Sequence, residues 1–238
     1  MKLKDKYVLI TGASGGIGRA ISLELLESGA KVVGLSRTPV KLKSNAERYF
    51  SYSTDLLNLE KAEIVLKKII SEHPKINALV SNAGFGEFKP LENFSLKQIR
   101  EFISLNLVSH IMVSQKLIKH FKTQKGGEIV IMGSEAGLSG KRKSTLYSAA
   151  KFGLRGFSEA LRDEVSSSDI RVSLISPGLV RTNFFEKLDF EPGYSDKNAI
   201  EPADIAQVVC QIFLTRQGTI IEEVRLSPAK RVINFGKK

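Results

Sequence analysis

The 238-residue chain has a single cysteine, Cys210. An internal disulfide is thereby excluded, and a lone thiol in an apolar helical stretch fits the reducing cytoplasm. Histidine is nearly as scarce. His73, His110 and His120 have no metal-ligand spacing and no cysteine cluster beside them, so they read as surface or helix residues and no metal is expected in catalysis. No run of eighteen or more apolar residues occurs, and no membrane span is expected. The opening residues hold only a strand-sized apolar run, 7–10, which stops at Thr11-Gly12, so a secretion signal is not expected. Linkers rich in Pro or Ser, internal repeats and low-complexity tracts are all missing. One domain over 1–238 is the expectation.

Positive charge, by contrast, is plentiful: the formal net charge is +11. It is spread over Lys2, Lys4 and Lys6, then Lys41 and Lys43, then Lys116, Lys119, Lys122 and Lys125. Lys141-Arg142-Lys143, Lys230-Arg231 and Lys237-Lys238 complete the set. Nothing forms a long basic block, a zinc finger or an aromatic-rich RNA-binding signature, so a nucleic-acid partner is not expected. Solvated surface is the plainer reading. A hydrophobic share of 42% supplies a sizeable core.

Element types alternate along the chain. Strand patterns at 7–10, 31–35, 49–53, 78–80, 128–132, 170–175 and 219–226 are separated by helical ones at 17–28, 59–71, 96–122, 146–165 and 202–214. That alternation calls for an α/β fold, a doubly wound parallel sheet of about seven strands with helices on both faces.

The first crossover carries Thr11-Gly-Ala-Ser-Gly-Gly-Ile-Gly18. Glycines there let a ligand approach the backbone, and the following helix start favours phosphate. Strand, turn and helix in this order point to a dinucleotide. At the end of the second strand stand Ser36 and Arg37, where an acidic residue would repel a 2′-phosphate. A guanidinium pairs with phosphate through two parallel hydrogen bonds, so NADP(H) is expected over NAD(H).

Tyr147 and Lys151 lie four apart on one helix face. An ammonium beside a phenol favours the phenolate, so the Lys151 charge is expected to lower the Tyr147 pKa. A carbonyl that accepts hydride develops negative charge on its oxygen. Tyr147 can supply the proton, and Ser134, just past the fifth strand, can hold the oxygen.

Gly12-x-x-x-Gly16-x-Gly18, Asn82-Ala83-Gly84, Ser134 thirteen residues before Tyr147, Tyr147-x-x-x-Lys151 and Pro177-Gly178 occur here in one order. In these the chain resembles the short-chain dehydrogenase/reductase family, single-domain Rossmann enzymes, from residue 7 to about 226. The resemblance implies a catalytic set of Ser134, Tyr147, Lys151 and Asn106, the asparagine holding a water in a proton relay through the lysine. It implies cofactor contacts from Gly12, Ser14, Gly16, Ile17 and Gly18 in the first turn. Further contacts are implied for Asp55 and Leu56 near the adenine, for Asn82, Ala83 and Gly84, and for Tyr147 and Lys151 on the ribose. Pro177, Gly178, Val180 and Thr182 would surround the nicotinamide carboxamide.

Residues 183–200 carry Phe184, Phe185, Leu188, Phe190 and Tyr194 and suit a lid over an apolar substrate; packing on the core or on a second subunit is the equal alternative. Lys141-Arg142-Lys143 is either a basic pocket rim or a solvated loop. The resulting expectation is an NADP(H)-dependent oxidoreductase interconverting a small-molecule carbonyl and alcohol. Stretch 219–238 resembles serine-dehydrogenase-like and general carbonyl-reducing members more than fatty-acid ketoreductases. A 3-oxoacyl-ACP reductase and a non-catalytic NADP(H)-sensing protein are the alternatives. Family members are commonly homodimers or homotetramers, packed through helices matching 96–122 and 146–165, where Gly153 and Gly156 would allow close approach.

Overall fold

The computed structural model describes residues 3–40 and 47–236. Lys2, Lys41, Lys43, Lys237 and Lys238 of the basic set lie outside the described residues. Seven strands form one parallel sheet: β1 (Tyr7–Thr11), β2 (Lys31–Ser36), β3 (Tyr49–Ser53), β4 (Ala78–Ser81), β5 (Gly127–Met132), β6 (Ile170–Pro177) and β8 (Glu223–Leu226). Their order is β3-β2-β1-β4-β5-β6-β8, and every pairing is parallel. Helices α1 (Gly16–Glu27) and α6 (Pro202–Leu214) cover one face. The other is covered by α2 (Leu59–Glu72), α4 (Ser109–Thr123) and α5 (Thr145–Val165), with α3 (Leu96–Ile103) leading into α4.

Strand β1 explains the layering. Val8 and Ile10 join Ile21, Leu25, Val209 and Phe213 on one face, while Leu9 between them joins Leu66, Leu117, Phe121 and Leu154 on the other. Successive side chains of a strand point to opposite faces, so a strand buried on both sides must be apolar throughout. After β1 the chain winds outward to β2 and β3, then returns to β4 on the opposite side of β1. This reversal opens a crevice at the carboxyl ends of β1 and β4, where such sheets bind ligands.

Three departures from the sequence pattern bear on the site. The helix expected over 96–122 is interrupted by a π-helical turn, Ser104–Val108, containing Asn106. Its side chain bonds inward, donating to the Phe102 carbonyl at 3.1 Å and accepting from the Phe85 amide at 3.1 Å. The strand expected over 219–226 begins only at Glu223. The Arg171 guanidinium takes the Thr219 carbonyl at 2.9 Å, with the Thr215 and Arg216 carbonyls, so that stretch turns before the sheet resumes. Finally, a two-stranded antiparallel pair joins β7 (Phe190–Pro192) to β9 (Ile233–Phe235), with Phe190 opposite Phe235. Among the described residues no helix is long and apolar enough to cross a membrane.

Candidate active site

The glycine turn between β1 and α1 forms one wall of the crevice. Gly12 and Gly16 have φ of +70° and +49°, where glycine avoids the strain an L side chain would meet. A Cβ on Gly18 would lie 2.3 Å from the Gly12 carbonyl oxygen, so α1 starts pressed against the end of β1. The helix is capped by Gly15 without a side-chain hydrogen bond and has no acidic residue in its first turn. A Cβ on Gly15 would meet nothing within 4 Å. An open helix start with uncapped amides suits a phosphate group. Ser14 is exposed on this turn, whereas Ile17 packs its side chain into the core.

Thr11 fastens the two strand ends. Its hydroxyl oxygen accepts from the Asn82 amide at 2.9 Å and the Ala83 amide at 3.1 Å, and Asn82 Nδ2 donates to the Thr11 carbonyl. Gly84 lies against Asn106, whose Oδ1 would be 2.8 Å from a Cβ there. At the end of β2, Ser36 is buried and donates to the Thr38 carbonyl at 2.7 Å. Arg37 is exposed and makes no ion pair among the described residues. Asp55 is exposed and accepts from the Leu57 amide, while Leu56 is buried in the core. From the opposite side, the loop after β6 folds over the glycines: a Cβ on Gly16 would lie 3.3 Å from Thr182 Cγ2. Gly178 is held by its amide on the Leu226 carbonyl at 2.9 Å, and Val180 bridges to Ile200. Pro177 is buried at the end of β6.

Ser134 follows β5 and caps a short turn by accepting from the Ala136 amide at 3.1 Å. Burial pushes the Tyr147 phenol up to about 12, while the Ser134 side chain, hydrogen-bonded to it, acts in the other direction. The Lys151 ammonium donates to the Met132 carbonyl at 3.0 Å and lies 5.7 Å from the Tyr147 ring centroid. Burial lowers it to about 8. The expected lowering of Tyr147 by Lys151 is therefore corrected: burial dominates, the Glu135 charge adds to it, and the phenol stands protonated at neutral pH.

His110 is, of the surface or helix readings, a helix residue: it lies on α4 and is buried. Its ring lies 2.8 Å from the Ser81 hydroxyl through Nδ1 and 2.8 Å from the Ala83 carbonyl through Nε2. A carbonyl only accepts, so Nε2 carries the hydrogen and Nδ1 accepts from Ser81. Burial, with the nearby Lys151 charge second, lowers its pKa to about 3. His73 is likewise buried, between Tyr7 and Tyr52.

The sequence pattern also missed a cluster of rings around the phenol. Phe88, Phe184 and Phe102 lie 5.1, 6.0 and 6.3 Å from the Tyr147 ring, centroid to centroid. Phe190 stands 5.2 Å behind Phe88. The signal available was the richness of 183–200 in phenylalanine; which ring faces the tyrosine is set by the fold.

A family model described as short chain dehydrogenase matches residues 6–192. The chain is 33% identical to the 3-oxoacyl-(acyl-carrier-protein) reductase FabG of Buchnera aphidicola, over 79% of each sequence. It is 28% identical to dehydrogenase/reductase SDR family member 11 of Mus musculus, over 96% of each. Among solved structures, a metagenomic short-chain oxidoreductase in complex with NADP superimposes with a TM-score of 0.83 at 28% identity. That match covers 97% of this chain and 100% of the other.

Proposed function

The chain belongs to the short-chain dehydrogenase/reductase family of oxidoreductases, and on that premise we propose that it interconverts a ketone or aldehyde and an alcohol with NADP(H). The observation that carries the reading is the placement of Ser134 just past β5 and of Lys151 on the Met132 carbonyl at 3.0 Å, with Tyr147 beside that lysine, at the carboxyl end of the sheet that also holds the glycine turn. When bound, the cofactor supplies or takes back the hydride. Tyr147 gives its phenolic proton to the carbonyl oxygen, and the Ser134 hydroxyl holds that oxygen as charge develops. Lys151 stabilises the phenolate that remains and holds ribose hydroxyls. Asn106 has committed its side chain to Phe85 and Phe102, which fixes it beside the loop after β4.

The uncapped start of α1 would hold the cofactor's phosphates. The exposed Arg37, without an ion pair among the described residues and with no carboxylate at the end of β2, supports NADP(H) over NAD(H). Residues 183–200 act as the lid, and 1–238 form one domain. A second reading, reduction of 3-oxoacyl groups on a carrier protein, is favoured by the 33% identity to FabG. Against it, the FabG match takes in 79% of the chain, the mouse relative 96%.

The test is NADPH oxidation with a panel of ketones by wild type and Tyr147→Phe. Turnover is expected in wild type and absent in the variant, with NADPH affinity nearly unchanged. Binding of NADPH without oxidation on any carbonyl would mark a binding protein instead.

A further inference from the structure

Resting on the carbonyl-reduction reading, the geometry points to a substrate class: a compact ketone or aldehyde with an aromatic or alicyclic ring beside its carbonyl. The phenol that would donate the proton is ringed by Phe88, Phe184 and Phe102 at centroid separations of 5.1–6.3 Å, tilted or edge-on. That is the range in which aromatic faces and edges attract one another. Phe102 is fully buried, while Phe88 and Phe184 are half-buried. A substrate whose carbonyl oxygen reaches Tyr147 and Ser134 would lay its own carbon frame against those two rings.

Several charges near the wall in sequence are paired among themselves. Glu87 and Lys89 pair with each other at 2.6 Å, and the Lys89 ammonium sits 4.3 Å from the Phe94 ring centroid. Glu135, next to Ser134, pairs with Arg231 at 3.3 Å. The position of the two rings is built into the backbone. A Cβ on Gly86 would lie 2.3 Å from Phe184 Cζ and 2.8 Å from Phe88 Cε2, so a side chain there would push both rings off this loop. Phe190 backs Phe88 and is itself fixed by the pairing of β7 with β9.

The inference is tested by following NADPH oxidation with acetophenone, cyclohexanone, acetone and acetoacetyl-coenzyme A, in wild type, Phe184→Ala and Gly86→Ala. In wild type the two ring ketones are expected to exceed acetone and the thioester in kcat/KM by about tenfold or more. Phe184→Ala should lower kcat/KM for acetophenone about tenfold, chiefly through KM, and acetone far less. NADPH affinity should stay as in wild type. Gly86→Ala, which keeps every aromatic ring but displaces Phe184, should show the same bias and covers the case in which Phe184→Ala does not fold. Preference for the thioester, or equal losses for acetone and acetophenone, would overturn the ring-substrate inference while leaving Tyr147-dependent reduction standing. Failure of every carbonyl to oxidise bound NADPH would remove both.

Discussion

His110 ties the end of β4 to the loop that follows it, through the Ser81 hydroxyl and the Ala83 carbonyl. Replacing it with phenylalanine leaves both groups unpaired and should cost about 1–3 kcal/mol of folding free energy, measured by denaturant unfolding. The same residue gives an acid dependence. Its folded-state pKa is depressed from 6.5 to about 3, so between these values only the unfolded chain takes up the proton. Its contribution is complete above 6.5, is lost as pH falls from there, and levels off near 3. The melting temperature should therefore drop from pH 7 to pH 5, and less steeply in His110→Phe. Arg37→Asp should weaken NADPH far more than NADH in direct titrations; equal loss for both would remove the 2′-phosphate role.

The element that joins site to scaffold is the β7–β9 pair. The Gly193 amide reaches the Val232 carbonyl at 2.9 Å and the Gly236 amide reaches the Asp189 carbonyl at 2.9 Å, clasping 189–193 from both ends. Deleting residues 231–238 should leave the seven-stranded sheet folded by circular dichroism. It should raise KM for the carbonyl and expose 183–193 to limited proteolysis, because β7 then has no partner. This clasp was not legible in the sequence, since a three-residue strand with a distant partner leaves no periodic pattern. The same holds for Phe88, Phe184 and Phe190: three short segments bring them together, and no spacing rule spans them. By contrast, the glycine turn and the Tyr147–Lys151 pair were legible because they are local, set by a turn and by four helix positions. The burial of His110 escaped notice because hydrophobic periodicity does not report a polar side chain that finds both its partners inside.

At the scale of the whole molecule, parallel order followed from the strand–helix alternation, and Leu9, Leu66, Leu117 and Phe121 sit where that pattern requires. The charge is less free than its sum suggests. Lys116 pairs with Glu63 at 2.9 Å, and Lys6 and Arg171 both reach the buried Glu128. A Cβ on Gly153 would lie 3.0 Å from Leu107 Cδ2 of its own chain, whereas one on Gly156 would face open space. Phe152, Ile111 and Val108 stay exposed on α5, α4 and the π turn, at 45%, 37% and 38%. Self-association through this surface is expected, and Phe152→Glu should shift the protein toward monomer in sedimentation velocity.

The clasp by β9 also fixes an order of assembly. The glycine turn leaves the ribosome well before β9, the strand that secures the ring-lined roof. A domain folds as a unit, so the sheet can form while the roof still waits for its fastener. A molecule cut short before β9 would then carry its crevice open to water.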